Sequence, residues 1–347
     1  MYVPKNPLAV SLLFCLVFSP VAGPAKDKHQ ALAEAPGIAR EKPAALAEAP
    51  GPAVLWTNPA DIQSRNLFYG PGGSAHVPHG PFTFVKEDLA GTNPKFVVTD
   101  SDGVKWKVKL GIEARPETVA SRLVWAVGYR ANEDYFVPRL QVRGMPAHLH
   151  RGQKMIAPDG SVPNVRLKRM DEKKAGEWSW RQDAFAGTRE WFGLRTLMAV
   201  INNWDLKDEN NAIYQEHGQR IYMISDLGAS FGCSNRCWPR DEAKGDIEKY
   251  RQSGFIRRVS PTTVSFYTPG RPRFLYMVNP KEYFMRVHLE WIGRNIPRAD
   301  AKWMGALLAR LSPAQVHDAF RAAGYSPDQI EAFSRILQSR ITALTDL

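Results

Sequence analysis

The sequence predicts an α+β protein in two parts, a smaller β-rich one followed by a larger one that is mainly helical. Three observations carry this expectation. Residues 95–110 alternate apolar and polar side chains on either side of Asp100-Ser101-Asp102-Gly103, the pattern of a hairpin with a strong turn signal. Residues 191–232 run as helix, acid- and amide-rich loop and short hairpin. Toward the C terminus, Ser312-Pro313-Ala314-Gln315 and Ser326-Pro327-Asp328-Gln329 each put Ser at a helix N-cap, Pro at the first helical position and Gln three residues after the cap. A chain of 347 residues with 44% hydrophobic content can bury one large two-lobed domain or two modest ones, so overall disorder is excluded.

Taken in order, residues 1–25 read as an export signal: Lys5, an apolar run from Leu8 to Phe18, then Ser19-Pro20 and a small-residue stretch ending Gly23-Pro24-Ala25. The run is too short for a comfortable membrane span. Cys15 follows Phe14, where a lipoprotein box needs a small residue. The expected location is therefore outside the cytoplasm (periplasmic, secreted or in the secretory pathway), with an uncleaved N-terminal anchor as the alternative. Residues 26–53 repeat ALAEAPG at 31–37 and 45–51 among Ala, Pro, Glu and Lys without an aromatic residue, which predicts a disordered linker. The folded chain is expected to divide into a β-rich part over 54–143 and a mainly helical part over 144–347.

Within the first part, the stretch from Tyr69 to Phe82 brings Gly70, Gly72 and Gly73 close together. Glycines there would let backbone amides approach phosphate oxygens, although an irregular loop explains them equally well. His76, His79, His148 and His150 could ligate a metal in principle, but scattered loop histidines are the simpler reading. In the strand from Val104 to Leu110, Val104, Trp106, Val108 and Leu110 share one face while Lys105, Lys107 and Lys109 share the other. Alternating lysines commonly mark a solvated edge strand. Glu117 then opens a helical pattern with Val119, Leu123, Val124 and Val127 as candidate buried positions. Phe136–Val142 and Val165–Arg169 read as further strands.

In the second part, Leu194, Leu197, Met198 and Ile201 have the spacing of an amphipathic helix that Asn202-Asn203 ends. Asn211–Gln215 and Arg220–Ser225 form the hairpin, and its second strand runs into Asp226-Leu227-Gly228. Asp205, Lys207, Asn210 and Asp226 are thereby delivered to one edge of a small sheet. Glu282–Ile292 is helical, and Val316, Phe320, Ile330, Phe333, Ile336 and Leu337 face the core of a helical hairpin with Gly324 at its stop.

Asp205-Leu206-Lys207-Asp208-Glu209-Asn210 matches D-x-K-x-x-N, and Asp226-Leu227-Gly228 looks like D-F-G with Leu for Phe. Together these resemble the atypical protein-kinase-like superfamily, in particular its HipA-type, spore-coat and secretory-pathway branches, since Asn203-Trp204 stands where ordinary protein kinases carry His-Arg. The resemblance implies a two-lobed protein-kinase-like fold, with ATP and Mg2+ as cofactors. Asp205 would orient or accept the proton of the acceptor hydroxyl, and Lys207 would steady charge on the moving phosphoryl group. Asn210 and Asp226 would supply hard oxygen ligands to magnesium. Lys109 and Glu117 would be the strand lysine and helix glutamate that fix the nucleotide phosphates, with Lys107 and Glu113 as the alternatives, and Gly70, Gly72 and Gly73 would form the glycine-rich loop. No Ala-Pro-Glu-like anchor closes an activation segment, which sets the chain apart from kinases with the ordinary route to protein substrates.

Lys and Arg exceed Asp and Glu by 46 to 35, giving a net charge of +11 that favours anionic partners such as nucleotide phosphates. No nucleic-acid module accompanies the charge. Beyond the signal only Cys233 and Cys237 remain, a pair expected to close a small disulfide loop in an oxidising compartment, with two free thiols or half of a metal site as alternatives. Three functions follow: an exported phosphotransferase acting on a hydroxyl of a protein, sugar or lipid, a non-catalytic kinase-fold protein that binds an anionic ligand, and a nucleotidyl (AMP) transferase on the same fold.

Overall fold

Alternation of side chains along neighbouring strands organises the first lobe. After β1 (Ala53–Val54), which joins the sheet of the second lobe, its elements are β2 (Phe82–Glu87), β3 (Lys95–Thr99), β4 (Lys105–Lys109), α1 (Ala114–Ala126), β5 (Asp134–Leu140), β6 (Val142–Arg143) and β7 (Val162–Arg169). The computed structural model describes residues 51–170, 174–233, 244–268 and 274–347. The export signal and nearly all of the linker expected up to residue 53 thus lie outside the described residues. At the end of that linker Ala53 and Val54 are already paired, in parallel, with Arg220 and Ile221.

Strands β2 to β7 form one sheet in the order β5-β7-β4-β3-β2-β6. The boundary expected between residues 143 and 144 falls inside this sheet, because β7 returns to pair with both β5 and β4. Val165 and Leu167 of β7 bury beside Trp106 and Val108 of β4, together with Phe96, Val98, Tyr135 and Leu140. The intervening residues, Lys107, Lys109, Arg166 and Lys168, necessarily face the other side. β4 is an inner strand, and its lysine face grades from exposed Lys105 through half-buried Lys107 to buried Lys109.

The second lobe comprises β8 (Lys174–Gly176), α2 (Arg189–Val200), β9 (Asn211–Glu216), β10 (Gln219–Ile224), α3 (Ile247–Gln252), β11 (Ile256–Val259), β12 (Thr263–Phe266), α4 (Phe274–Val278), α5 (Pro280–Leu289), β13 (Ile296–Pro297), α6 (Arg298–Leu308), α7 (Pro313–Ala322) and α8 (Pro327–Thr345). The expected two-lobed α+β architecture is observed: a curled sheet lobe and a lobe built mainly of helices. Thr188 caps α2 by accepting from the Trp191 N–H, and the helix stops ahead of Asn202, whose φ is +56°. The hairpin β9–β10 turns through His217 and Gly218, both at positive φ as a tight hairpin turn demands. Both Ser-Pro capping boxes form at α7 and α8.

One continuous core joins the lobes. Val119, Leu123, Val124 and Val127 of the α1 segment bury in the same cluster as Leu194, Leu197 and Met198 of α2 and Phe320, Phe333 and Leu337 of the C-terminal helices. Helix α1 is therefore held between the sheet and the second lobe, which fixes what its first turn can reach.

Candidate active site

The site begins from an electrostatic problem created by strand register. Lys109 lies opposite Arg166 and Lys107 opposite Lys168 on the shared face of β4 and β7. Like charges placed directly across a ladder are destabilising, so four neighbouring cations need counter-charges. The first turn of α1 and the neighbouring elements supply them. Lys109 Nζ lies 2.8 Å from Glu117, 3.1 Å from Glu113 and 3.0 Å from Asp226 Oδ1. Arg166 Nη2 donates to Glu117 Oε1 at 2.6 Å, and its Nε faces Asp134 at 3.5 Å. Lys107 pairs with Asp88 at 2.9 Å, while Lys168 reaches Tyr214 and Ser225 hydroxyls at 3.4 and 3.3 Å. Lys109, Glu117 and Arg166 are buried, so the centre of this network is dry, whereas Asp226 and Lys107 are each about one third open to water.

Asp226 comes from the other lobe. Ser225 at the end of β10 donates its N–H to Asn210 O at 2.7 Å, and Asn132 Nδ2 donates to Ser225 O at 2.8 Å. This places Asn210 beside Asp226 at one end of the hairpin and ties both to the first lobe. Asn210 Nδ2 in turn donates to Asp205 O at 2.6 Å, and Lys207 Nζ lies 3.8 Å from Asp205 Oδ1. Asp205, Lys207, Asn210, Asp226, Lys109 and Glu117 therefore belong to one contiguous set of interactions that crosses between the lobes.

The charges are strongly coupled. Burial alone would lower the Lys109 pKa, but Glu117, Asp226 and Glu113 outweigh it and hold the ammonium well above its ordinary value. Burial pushes Asp226 up, yet Lys109, by charge and hydrogen bond, with help from Arg166 and the Gly228 N–H, brings the carboxyl far below the ordinary range. Burial raises Glu117, against the pull of Arg166 and Lys109. Lys168 is lowered to about 8 by burial and by the charges of Arg166 and Lys107.

Of the sequence candidates, Lys109 rather than Lys107 joins the inter-lobe cluster, and both Glu113 and Glu117 contact it. Gly70, Gly72 and Gly73 are elsewhere. Their contacts are with the Arg122 side chain at Gly70, Glu133 and Tyr135 at Gly72, and the Tyr135 hydroxyl donating to Gly73 O at 2.9 Å. Gly70 and Gly73 also use their N–H groups within the loop's own turns. This loop packs against α1 and the outer strand β5. The connection between β2 and β3 approaches the cluster instead: Asp88 binds Lys107, Gly91 is at φ +66°, and Asn93 Nδ2 donates to Glu113 Oε2 at 2.6 Å. The sequence signal for it is Gly91 between two strand patterns. Arg166, Asp134 and Lys244, which pairs with Glu113, were also missed. Arg166 and Asp134 were hidden because alternation along β5 and β7 becomes informative only when β7 is known to lie beside β4.

His76, His79 and His150 each face a carboxylate, Glu133, Asp102 and Glu87 respectively. Cys237 lies outside the described residues, so the Cys233–Cys237 pairing remains a proposal. Among the described residues no helix is long and apolar enough to cross a membrane.

For a divalent cation, the donor set is the relevant test. One oxygen each from Glu113, Glu117 and Asp226 lie within 4.8 Å of one another. Glu113 and Glu117 are already held by Lys109, Arg166 and Lys244, whereas among the described residues Asp226 uses Oδ1 for its hydrogen bonds to Lys109 and Gly228, leaving Oδ2. Asn210 commits its amide nitrogen and keeps its amide oxygen. Two hard oxygens on adjoining backbone suit magnesium, which is bound by few protein ligands and keeps several waters. Arg166 Nη1 is buried with no hydrogen-bond partner among the described residues, a donor left over beside the acids.

No family model matches the chain, and no curated protein does. Among solved structures the chain is similar to the crystal structure of a Helicobacter pylori proinflammatory kinase, CtkA. The likeness has 12% sequence identity and a TM-score of 0.44, covering 78% of this chain and 98% of that one.

Proposed function

We propose that this protein is a phosphotransferase of the kinase-like type, binding magnesium and ATP between its lobes and moving the γ-phosphoryl group to a hydroxyl acceptor. The observation that carries the reading is the meeting of Lys109, from the sheet lobe, with Asp226, from the helical lobe, at 3.0 Å, backed by Glu117 at 2.8 Å. Such a bridge holds a cation donor and a carboxylate acceptor where a polyphosphate and its metal would be gripped together. In phosphoryl transfer the protein's work is positioning and charge neutralisation.

Asp226 and Asn210 would hold the magnesium, which neutralises phosphate charge when bound. Lys109, released from Asp226 by the incoming phosphates, keeps Glu117 and Glu113 as its anchors. Asp205 takes the proton of the acceptor hydroxyl as its oxygen bonds to the γ-phosphorus. The bond from that phosphorus to the β–γ bridging oxygen breaks, and ADP leaves. Lys207, beside Asp205, stabilises charge on the transferring group. We further propose export through residues 1–25 and a Cys233–Cys237 disulfide, both consistent with an oxidising compartment.

The test is transfer of label from ATP in the presence of magnesium, with the purified chain and candidate protein acceptors. Label from the γ position should move, and Asp205→Ala should reduce transfer at least about a hundredfold, the scale of general-base loss. Label moving from the α position would replace this reading with nucleotidyl transfer, and magnesium-dependent binding without transfer to any acceptor would replace it with a binding role.

A further inference from the structure

Helix α5 and the acid-rich loop face each other across an open groove of about 580 Å³. One wall is Lys207, Asp208 and Glu209. The other is α5, through Phe284, Val287, His288 and Leu289. The groove thus begins at a residue assigned above to the transferring group and runs away from it between an acidic wall and an apolar one.

Three features indicate the size and chemistry of what fits. The apolar wall is unusually open to water, with Phe284 at 56% and Val287 at 39% exposure, and it continues onto Tyr276, Met277 and Val278 at the α4–α5 corner. Small-molecule sites enclose most of their ligand, so an open surface of this extent suits a macromolecule. The side chains of Phe284, Val287 and Leu289 offer no hydrogen-bonding group, which argues against a bare sugar. Asp208 and Glu209 are exposed along the opposite wall, and seating them against anionic lipid headgroups would bring like charges together, so a membrane surface is disfavoured.

We propose that this groove binds the acceptor as an amphipathic polypeptide segment, with apolar side chains against Phe284 and Val287, basic ones toward Asp208 and Glu209, and its accepting hydroxyl presented beside Asp205 and Lys207. Its role as an acceptor site rests on the phosphotransfer reading; its peptide binding does not. An amphipathic segment laid in a groove with one apolar wall is a known recognition mode, and here the second wall adds a charge requirement.

The experiment measures binding and transfer separately on the full chain. A fluorescent helical peptide with Leu on one face and Lys and Ser on the other is titrated by anisotropy without nucleotide, then offered as acceptor with magnesium and ATP. Phe284→Ser combined with Val287→Ser should weaken peptide binding about tenfold or more, on the scale of two half-buried apolar contacts, while leaving magnesium–ATP binding unchanged. Replacing the peptide's Leu by Gln should weaken binding by the wild-type chain similarly, and replacing its Lys by Glu should do the same. Peptide binding without transfer would keep the docking site and sink the phosphotransfer reading. Unchanged affinity in the double variant overturns the proposal, as does binding to phosphatidylcholine–phosphatidylglycerol vesicles that the same variant loses.

Discussion

Replacing Lys109 by Met keeps length and bulk and removes one charge from the centre of the inter-lobe network. Glu117 retains Arg166 at 2.6 Å, and Glu113 retains Lys244, but Asp226 keeps only the Gly228 N–H at 3.3 Å among its hydrogen bonds. Removing one partner of a buried ion pair costs about 3–5 kcal/mol, because the other charge remains buried and unpaired. Here three carboxylates converge within 4.8 Å, so at least one should take up a proton in Lys109→Met. Its folded pKa would then exceed the unfolded value, and the folded variant would bind more protons than the unfolded chain. Stability of the variant should therefore rise as pH falls. The measurement is urea unfolding followed by tryptophan fluorescence at several pH values. Lys109→Met should lose about 3–5 kcal/mol near neutral pH and recover part of it toward about pH 5. Adding Glu117→Gln should restore about 1–3 kcal/mol, since the two changes remove charges in contact. A loss below about 1 kcal/mol with no pH dependence, or strict additivity in the double variant, would refute the description of Lys109 as the buried keystone of an acidic cluster.

Asp226, whose folded pKa is depressed below the ordinary 3.8, contributes stability that is present above that value and lost as pH falls through the folded pKa. Asp226→Asn should therefore flatten the acid limb of the stability–pH curve, measured by the same unfolding assay. Lys168, lowered to about 8 from 10.5, has the same sense in an alkaline window: stability should climb as pH rises from about 8 toward 10.5, and Lys168→Met should abolish that climb. Ser326, whose side chain accepts the Gln329 N–H in a complete capping box, should lose about 1 kcal/mol on replacement by Ala, seen as a lowered unfolding midpoint with no change in nucleotide binding.

The parts of the architecture that were legible in the chain are those fixed by local rules. The turn at Asp100–Gly103, both Ser-Pro capping boxes and the stop at Asn202 follow from residues a few positions apart. The alternation that sends Trp106 and Val108 one way and Lys107 and Lys109 the other is equally local. What was not legible depends on which strand lies beside which. Without knowing that β7 inserts between β5 and β4, nothing indicated that Arg166 would stand opposite Lys109, that Lys109 would be buried, or that the sheet would extend to Arg169. The surroundings of the glycines at 70, 72 and 73 were illegible for the same reason. Glycine density signals freedom of the backbone, whereas position beside a site is a property of topology, and it is the connection bearing Gly91 and Asn93 that contacts Lys107 and Glu113. Glu113 and Glu117 could not be separated by spacing alone because both lie within reach of one ammonium at the start of α1.

In the proposed function, Lys109 and Asp226 form one site for a magnesium-bound nucleotide across the two lobes. Calorimetric titration of the chain with ATP, with and without magnesium, measures this without any acceptor. Binding should require magnesium and weaken at least about tenfold in both Lys109→Ala and Asp226→Ala, with circular dichroism showing both variants folded. Absence of binding to the wild-type chain, or equal binding by both folded variants, would contradict it.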